Sequence, residues 1–528
     1  MIKLIDYFSF KLKKFIYGRY NIKYYPREIR FLVKDYLKKT PDINYPINKT
    51  NIKKNIIKRN KDPEVVEKYY RFEDFNLIKD KKITINKILT AYKHFNTLKK
   101  NRNKQFRFVQ EGYNISYRIV NLVEFSNKYN FHKLKNYIQL ESWLLLQRLE
   151  YFNSGFNNHI LKNAQALIYS GIYLNDLKLE KIGFLILKNS LQILILKNGL
   201  LRESSSSYQI LITKLILELS EFTINNKRKK KYNIIISILK KMLCASNFFK
   251  INNNLIIFGD TTPDYENKLL QDKVFNYKKY FPKTHKYLKN MNKKINSTKL
   301  GEFYKIQNKN FLIFYKFSEN SILKHLNHQH EDNFHFNLYY KNIPLLVDLN
   351  RANYSSDEGT YSKSHNSILL NYKNKSKKRL QVYPYNYPIN KNFRTIKNSN
   401  KYLKLKSNFV DSNKLNFVWS REILLKQNQF QLTDFLKSNK LCEKKIFLHI
   451  HPDFKLLKKK NNIYVFKNNK KKYQLNLICN PSKQTKIKQQ VDYYSDTYGV
   501  VTKTLSLIFK NNTDIYLQNE INLNIKKI

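Results

Sequence analysis

A helical half followed by an all-β half is the fold class predicted by this 528-residue sequence. The chain reads as an α+β multidomain protein. Three observations lead there. From about residue 84 to 250, apolar residues recur at spacings of three and four. From residue 311 onward, short β-type runs follow one another with polar turns between them. The loop Gly259–Asp264 marks the change of texture.

Residues 1–80 form an N-terminal extension, partly helical, with polar loops around Pro41, Pro46 and Pro63. The start, M-I-K-L-I-D-Y-F-S-F-K-L-K-K-F, is basic and partly apolar. It has neither a continuous apolar stretch nor a small-residue cleavage site, so a standard secretory signal is not expected. An amphipathic first helix, packed on the protein or touching a membrane surface, fits it. No run reaches the ~18 apolar residues of a spanning helix. Segment 182–196 comes closest but is broken by Lys188, Asn189 and Gln192.

Residues 81–270 form the helical domain. Its periodic segments are 84–98, 114–129, 133–151, 159–174, 178–197, 207–222 and 231–247. Short polar links separate them, so successive helices pack as hairpins in a bundle, solenoid or toroid. No fixed-period repeat appears. Residues 271–300, rich in Lys and Asn, read as a connector. Residues 301–528 carry the strands, at 311–317, 334–340, 343–348, 366–371, 414–419, 445–450, 462–467, 473–479 and 499–509. They predict a sandwich of antiparallel sheets. The clusters Lys458–Lys460 and Lys470–Lys472 read as solvated turns.

Composition narrows the function classes. Hydrophobic residues make up 42%, which excludes a disordered chain. The formal charge of +60 points towards a polyanion, either nucleic acid or an acidic polysaccharide. The lysines are spread along the whole chain, however, and Lys, Asn, Ile, Tyr and Phe are all abundant. AT-rich coding explains that pattern, and no nucleic-acid partner is expected. Cys244, Cys442 and Cys479 are far apart and odd in number, and so read as core residues. With 10 glycines there is no P-loop and no G-x-G-x-x-G.

Chemistry concentrates in His328–His365. If 334–340 and 343–348 pair as a hairpin, their ends lie side by side. His330 and Asp348 then share one ion, with His365 as third ligand. Three N/O ligands and an open position describe zinc better than calcium or magnesium. The pair His330-Glu331 does not begin a zincin motif, because position 334 is Phe and His335 comes one residue late. Three further groups stand out. Asn158 and His159 open a helix, as cap and first-turn residue or as side chains facing a cleft. Arg202–Tyr208 holds four serines before a helical run, a loop and cap, with Tyr208 a core aromatic by default. His449 and His451 share one strand face and read as structural or surface residues.

Taken together, these motifs resemble the heparinase II/III family of polysaccharide lyases, over roughly residues 105–510. Y-N-I-S-Y-R-I-V-N-L-V-E-F at Tyr113–Phe125 looks like the family's S-x-R-I-x-N-W helix. N-N-H-I-L-K-N-A-Q-A at Asn157–Ala166 looks like G-N-H-L-L-A-N-A-x-A, and N-G-L-L-R-E-S-S-S-S-Y at Asn198–Tyr208 like D-G-x-x-x-E-x-S-x-x-Y. Ile257–Asp264 resembles an I-G-D-x-x-P-D loop. H-Q-H-E-D-N-F-H-F at His328–Phe336 resembles H-x-H-A-D-x-L-S-F. Ile343–Asp348 resembles R-P-L-L-V-D, Ser364–Ser367 resembles A-H-N-T, and Asp492–Gly499 a late Y-S-x-x-Y-G strand. Asn157 replaces the usual Gly, Glu331 replaces Ala, and the stretch after Asp348 lacks P-G-T-Y.

The resemblance implies an incomplete α/α toroid followed by an antiparallel β-sandwich, with the site between them. It implies β-elimination of a uronic-acid-containing polysaccharide. Asn158 and His159 would hold the substrate carboxylate. Tyr208 would be the acid at the leaving oxygen and His328 the base. His330, Asp348 and His365 would bind Zn2+, which braces the site. A uronate C5-epimerase and a non-catalytic glycan-binding or assembly protein are the alternatives. The family implies the periplasm or cell envelope; the start of the chain leaves the cytoplasm as the other expectation.

Overall fold

The computed structural model describes residues 22, 25–38, 63–73, 78, 80–101, 106–151, 158–264, 267–288, 298–317, 328, 330, 332, 334–353, 362–373, 379–382, 390–398, 402–411, 417–438, 442–512 and 516–528. The amphipathic start, the loops at Pro41 and Pro46, and the substitutions at Asn157 and Glu331 lie outside them.

The helical half follows the apolar periodicity. Its long helices are Lys81–Lys100, Gly112–Tyr129, Lys135–Leu146, Asn158–Leu174, Leu177–Leu194, Ser206–Asn225 and Lys229–Phe248. Local chemistry sets several of their ends. Asp80 caps the first by accepting from Ile83 N, Asp176 caps the fifth through Leu179 N, and Ser205 caps the sixth through Tyr208 N. Asn130, at φ 47°, ends the second in the left-handed conformation. The segment 133–151, expected to be one helix, stops at Leu146. Two helices of the extension, Arg27–Leu37 and Pro63–Arg71, join this core through Ile29, Val33 and Tyr70. Segment 271–300 holds helical turns at Tyr277–Tyr280 and Pro282–Leu288. Among the described residues, no helix is long and apolar enough to cross a membrane.

Among the described residues the β half has three antiparallel sheets. The first is five-stranded: β1 (Lys299–Leu300), β2 (Phe303–Gln307), β3 (Phe311–Lys316), β4 (Phe336–Tyr340) and β5 (Ile343–Leu346), paired in sequence order. The second has the order Lys486–Thr497, Val500–Asn511, Glu443–His449, Ile368–Lys373, Arg379–Val382. The third is eight-stranded, running from Asn390–Asn398 at one edge to Lys455–Lys460 at the other. Lys458–Lys460, expected in a turn, lie in that edge strand, which is exposed along its length. Charge on an unpaired edge discourages pairing with another chain. All three sheets send side chains into one core.

Strand β3 is buried at every position because it serves two cores. Leu312 and Phe314 pack with the helices, while Phe311, Ile313 and Tyr315 face the sandwich. Successive strand residues point to opposite faces, so this strand joins the halves. Phe258 sits against Phe303 with ring centroids 5.3 Å apart, and Phe248 against Phe314 at 5.8 Å.

Candidate active site

Three of the four serines at the start of helix Ser206–Asn225 anchor the loop Gly259–Asp264. Ser205 Oγ donates to Asp260 O (2.7 Å), Ser206 Oγ accepts from Phe258 N (2.9 Å), and Ser207 Oγ accepts from Thr262 N (3.1 Å). Gly259 has φ +71°, and a Cβ there would lie 2.9 Å from Ser204 O and 3.2 Å from His328 O. Only glycine meets both demands. The loop thus runs between the helical domain and the H-Q-H segment and delivers Asp260 to the junction.

Asp260 is the hub of the site. It is 1% exposed. Its Oδ2 lies 2.7 Å from His328 Nδ1 and its Oδ1 2.7 Å from His330 Nε2, with Arg351 Nη1 3.6 Å away. Burial would raise its pKa, but His330 and His328 outweigh it and hold the carboxyl far below the usual range. An ionised carboxylate accepts only, so it draws the N–H of each ring. His328 is thereby left with Nε2 as its basic nitrogen. The His328 backbone is left-handed, at φ 72°, an unusual conformation for a residue with a Cβ. Its ring stacks on Tyr208 with centroids 3.8 Å apart and planes 19° apart.

On the helical side, Asn158 is the first residue of helix Asn158–Leu174. Its backbone N donates to Glu203 Oε1 (2.7 Å), and its Oδ1 is buried with no hydrogen-bond partner among the described residues. His159 Nδ1 meets Glu150 Oε2 at 3.1 Å, and its ring stacks on Tyr113 at 4.0 Å. Burial disfavours the imidazolium, but Glu150 outweighs it and the His159 pKa is raised. Tyr113 donates to Asp264 (2.6 Å), which Arg71 grips at 2.9 Å. Glu203 is within electrostatic reach of both His159 and His328. The structure therefore draws Asn158, His159, Tyr208 and His328 to one junction.

The remaining site residues lie at the strand ends. Asp348 follows β5. Its Oδ1 accepts from Asn350 N (2.9 Å) and lies 3.0 Å from His365 Nδ1. Burial opposes its ionisation, yet His365 and His335 hold its pKa well below the usual range. Donor atoms of His335, Asp348 and His365, all buried, lie within 4.8 Å of one another and form a group able to hold a metal ion. His330, expected in this set, stands beside it, with its ring centroid 5.2 Å from that of His365. His335, absent from the expected set, is the newcomer. Four buried atoms here have no hydrogen-bond partner among the described residues: His330 Nδ1, His335 Nε2, Asp348 Oδ2 and His365 Nε2. Such groups are rare unless something satisfies them. Nitrogen and carboxylate donors suit zinc.

Neighbouring residues hold this arrangement. Asn366 Nδ2 donates to Phe336 O and Val347 O, and its Oδ1 accepts from His449 N. Arg421, paired with Asp434, donates to Phe334 O and Asn366 O. His449 is buried and bonded to Ser506 Oγ (2.7 Å), while His451 is only partly buried. Sequence reading missed the parts played by Asp260 and Glu150. Asp260 stood in the quoted G-D-T-T-P-D loop; Glu150 carried no motif.

Comparison with known proteins agrees with this architecture. Residues 79–289 match the family description "Heparinase II/III N-terminus" and residues 290–522 "Heparinase II/III-like, C-terminal". A search of curated proteins finds no match. Among solved structures, a heparinase III aligns with TM-score 0.67 at 14% identity, covering 93% of this chain and 80% of its own. A second heparinase III gene product gives 0.62 at 16%, covering 99% and 88%. The heparan sulfate lyase HepC of Pedobacter heparinus gives 0.58 at 15%, covering 96% and 84%. At these identities the structural likeness is one of fold.

Proposed function

The chain belongs to the heparinase II/III family, and from that premise we propose that it is a polysaccharide lyase cleaving a uronic-acid-containing chain by β-elimination. One observation carries the proposal: His328 lies face to face with Tyr208 at 3.8 Å while Asp260 holds its other ring edge. A proton acceptor and a proton donor at one point are what elimination needs.

In the proposed mechanism the substrate carboxylate sits at Asn158 and His159. Charge develops on that carboxylate as the C5 proton leaves, so donors fixed beside it stabilise the transition state. His159 suits the task because Glu150 raises its pKa and so favours the imidazolium. His328 takes the C5 proton on Nε2. Tyr208 delivers its hydroxyl proton to the departing glycosidic oxygen; for the other C5 epimer Tyr208 can also serve as the base. The electron pair of the broken C–H bond forms the C4–C5 double bond, and the C4–O bond breaks. We propose that Zn2+ is held by His330, Asp348 and His365; the unpartnered His330 Nδ1 and Asp348 Oδ2 support the assignment. The ion would brace His330, two residues along the chain from His328.

The same proposal places the enzyme in the periplasm or cell envelope, to be checked by fractionation. The test of function is a panel of acidic polysaccharides monitored by ultraviolet absorbance. Elimination makes an unsaturated uronyl end that absorbs. Inverted uronates in chains of unchanged length would mark an epimerase instead. Binding with an unchanged product profile would mark a glycan-binding protein.

A further inference from the structure

His335 lies at ligand distance in the metal group, yet its proton is in the wrong place for a ligand. Its Nδ1 accepts the backbone N–H of Asn366 at 2.9 Å. A backbone N–H can only donate, so Nδ1 carries the lone pair and Nε2 carries the proton. Binding a cation through Nε2 would require that proton to move to Nδ1, against the Asn366 N–H, or to leave the ring altogether. Asn366 cannot turn away. It is fully buried, and its side chain and carbonyl are bonded to Phe336, Val347, His449 and Arg421.

The other two rings have the opposite arrangement. His330 gives Nε2–H to Asp260 and keeps a lone pair on Nδ1. A carboxylate behind a histidine is the usual support for a metal ligand. His365 presents Nδ1 to Asp348 Oδ1 at 3.0 Å, where an ion shared with that carboxylate can take the place of the proton. Three neighbouring histidines thus offer two ligand nitrogens and one N–H. That N–H is buried, 3.4 Å from Asp348 Oδ2, and has no hydrogen-bond partner among the described residues. An unsatisfied buried donor costs stability, so the site is incomplete until an acceptor arrives.

Resting on the metal centre of the proposed function, we infer that His335 donates from Nε2–H to an oxygen ligand of the bound ion, a water or hydroxide in its fourth position. The residues of the protein then fill three positions, and His335 orients what fills the last. This residue stands where the resembling motif H-x-H-A-D-x-L-S-F has serine, so the imidazole donor belongs to this chain's own sequence.

The test loads the full chain with Zn2+ and with Co2+, and compares wild type with His330→Ala, His335→Ala and His335→Gln. Folding of each is checked by circular dichroism. Expected are one zinc per chain in wild type and loss of stoichiometric binding in His330→Ala. His335→Ala should bind about 10–100-fold more weakly, the range for a supporting partner. His335→Gln, which keeps an N–H of similar reach, should recover most of that loss. The Co2+ visible spectrum should keep its coordination pattern in both His335 variants. Loss of stoichiometric binding in both, as in His330→Ala, would make His335 a ligand and overturn the inference. Unchanged affinity in His335→Ala would overturn it as well. Failure of the wild type itself to take up either ion would bring down the metal centre, and the inference with it.

Discussion

Replacing Asp260 with asparagine should damage two functions at once. The aspartate is buried and accepts from two rings at 2.7 Å. Asparagine keeps one oxygen acceptor but turns the other position into an N–H2 donor. That donor meets a ring N–H, so either His328 or His330 must exchange its proton between nitrogens. If His328 flips, its Nε2 is no longer a base. If His330 flips, its ligand nitrogen is blocked. A hydrogen bond to a charged group is worth ~1.5–3 kcal/mol, and two of them correspond to a factor of roughly 10²–10⁴. The upper end matches the ~10⁴-fold loss when a histidine base is left in the wrong tautomer. We expect kcat to fall by about 10²–10⁴-fold, with KM little changed because Asp260 lies beneath the surface. Zinc affinity should fall by about 10–100-fold. Initial rates of ultraviolet absorbance and elemental analysis of the purified variant give the two numbers. An Asp260→Asn enzyme with near wild-type kcat and full zinc content would refute the hub role.

Tyr208→Phe and His328→Ala should each abolish elimination while circular dichroism and melting stay close to wild type; activity in either removes its assignment. Glu150→Gln removes the carboxylate that raises the His159 pKa, so that pKa should fall and the alkaline limb of kcat/KM should move to lower pH. An unmoved limb would separate His159 from carboxylate binding. Gly259→Ala forces a Cβ into a left-handed residue in contact with Ser204 O, and should destabilise the fold by about 1–2 kcal/mol or more in urea titration; an unchanged midpoint would show that the loop can yield.

The halves of the fold were legible because burial imposes periodicity. Helix Leu177–Leu194 shows it plainly, whereas strand β3, buried on both faces, was legible as a short continuous apolar run. The eight-stranded sheet was harder to see. Strands such as Asn390–Asn398 and Tyr402–Asp411 carry several lysines and asparagines, and their alternation is faint in a chain biased towards those residues. The candidate residues Asn158, His159, Tyr208 and His328 were named through order and motif rather than through local pattern. Asp260 was not, because its role depends on contacts 68 and 70 residues away. The serine run looked like a simple cap; that it also pins a distant loop is a tertiary fact. His335 read as a near-miss of a zincin motif, and only the Asn366 N–H reveals where its proton lies.

The most direct measurement is the mass of the products made in 18O-labelled water from a polysaccharide that raises the ultraviolet signal. β-Elimination predicts unsaturated oligosaccharides with no label at the new ends, formed by the wild type and not by Tyr208→Phe. Labelled, saturated products would mean hydrolysis, and chains of unchanged length with inverted uronates would mean epimerisation; either result would contradict the lyase assignment.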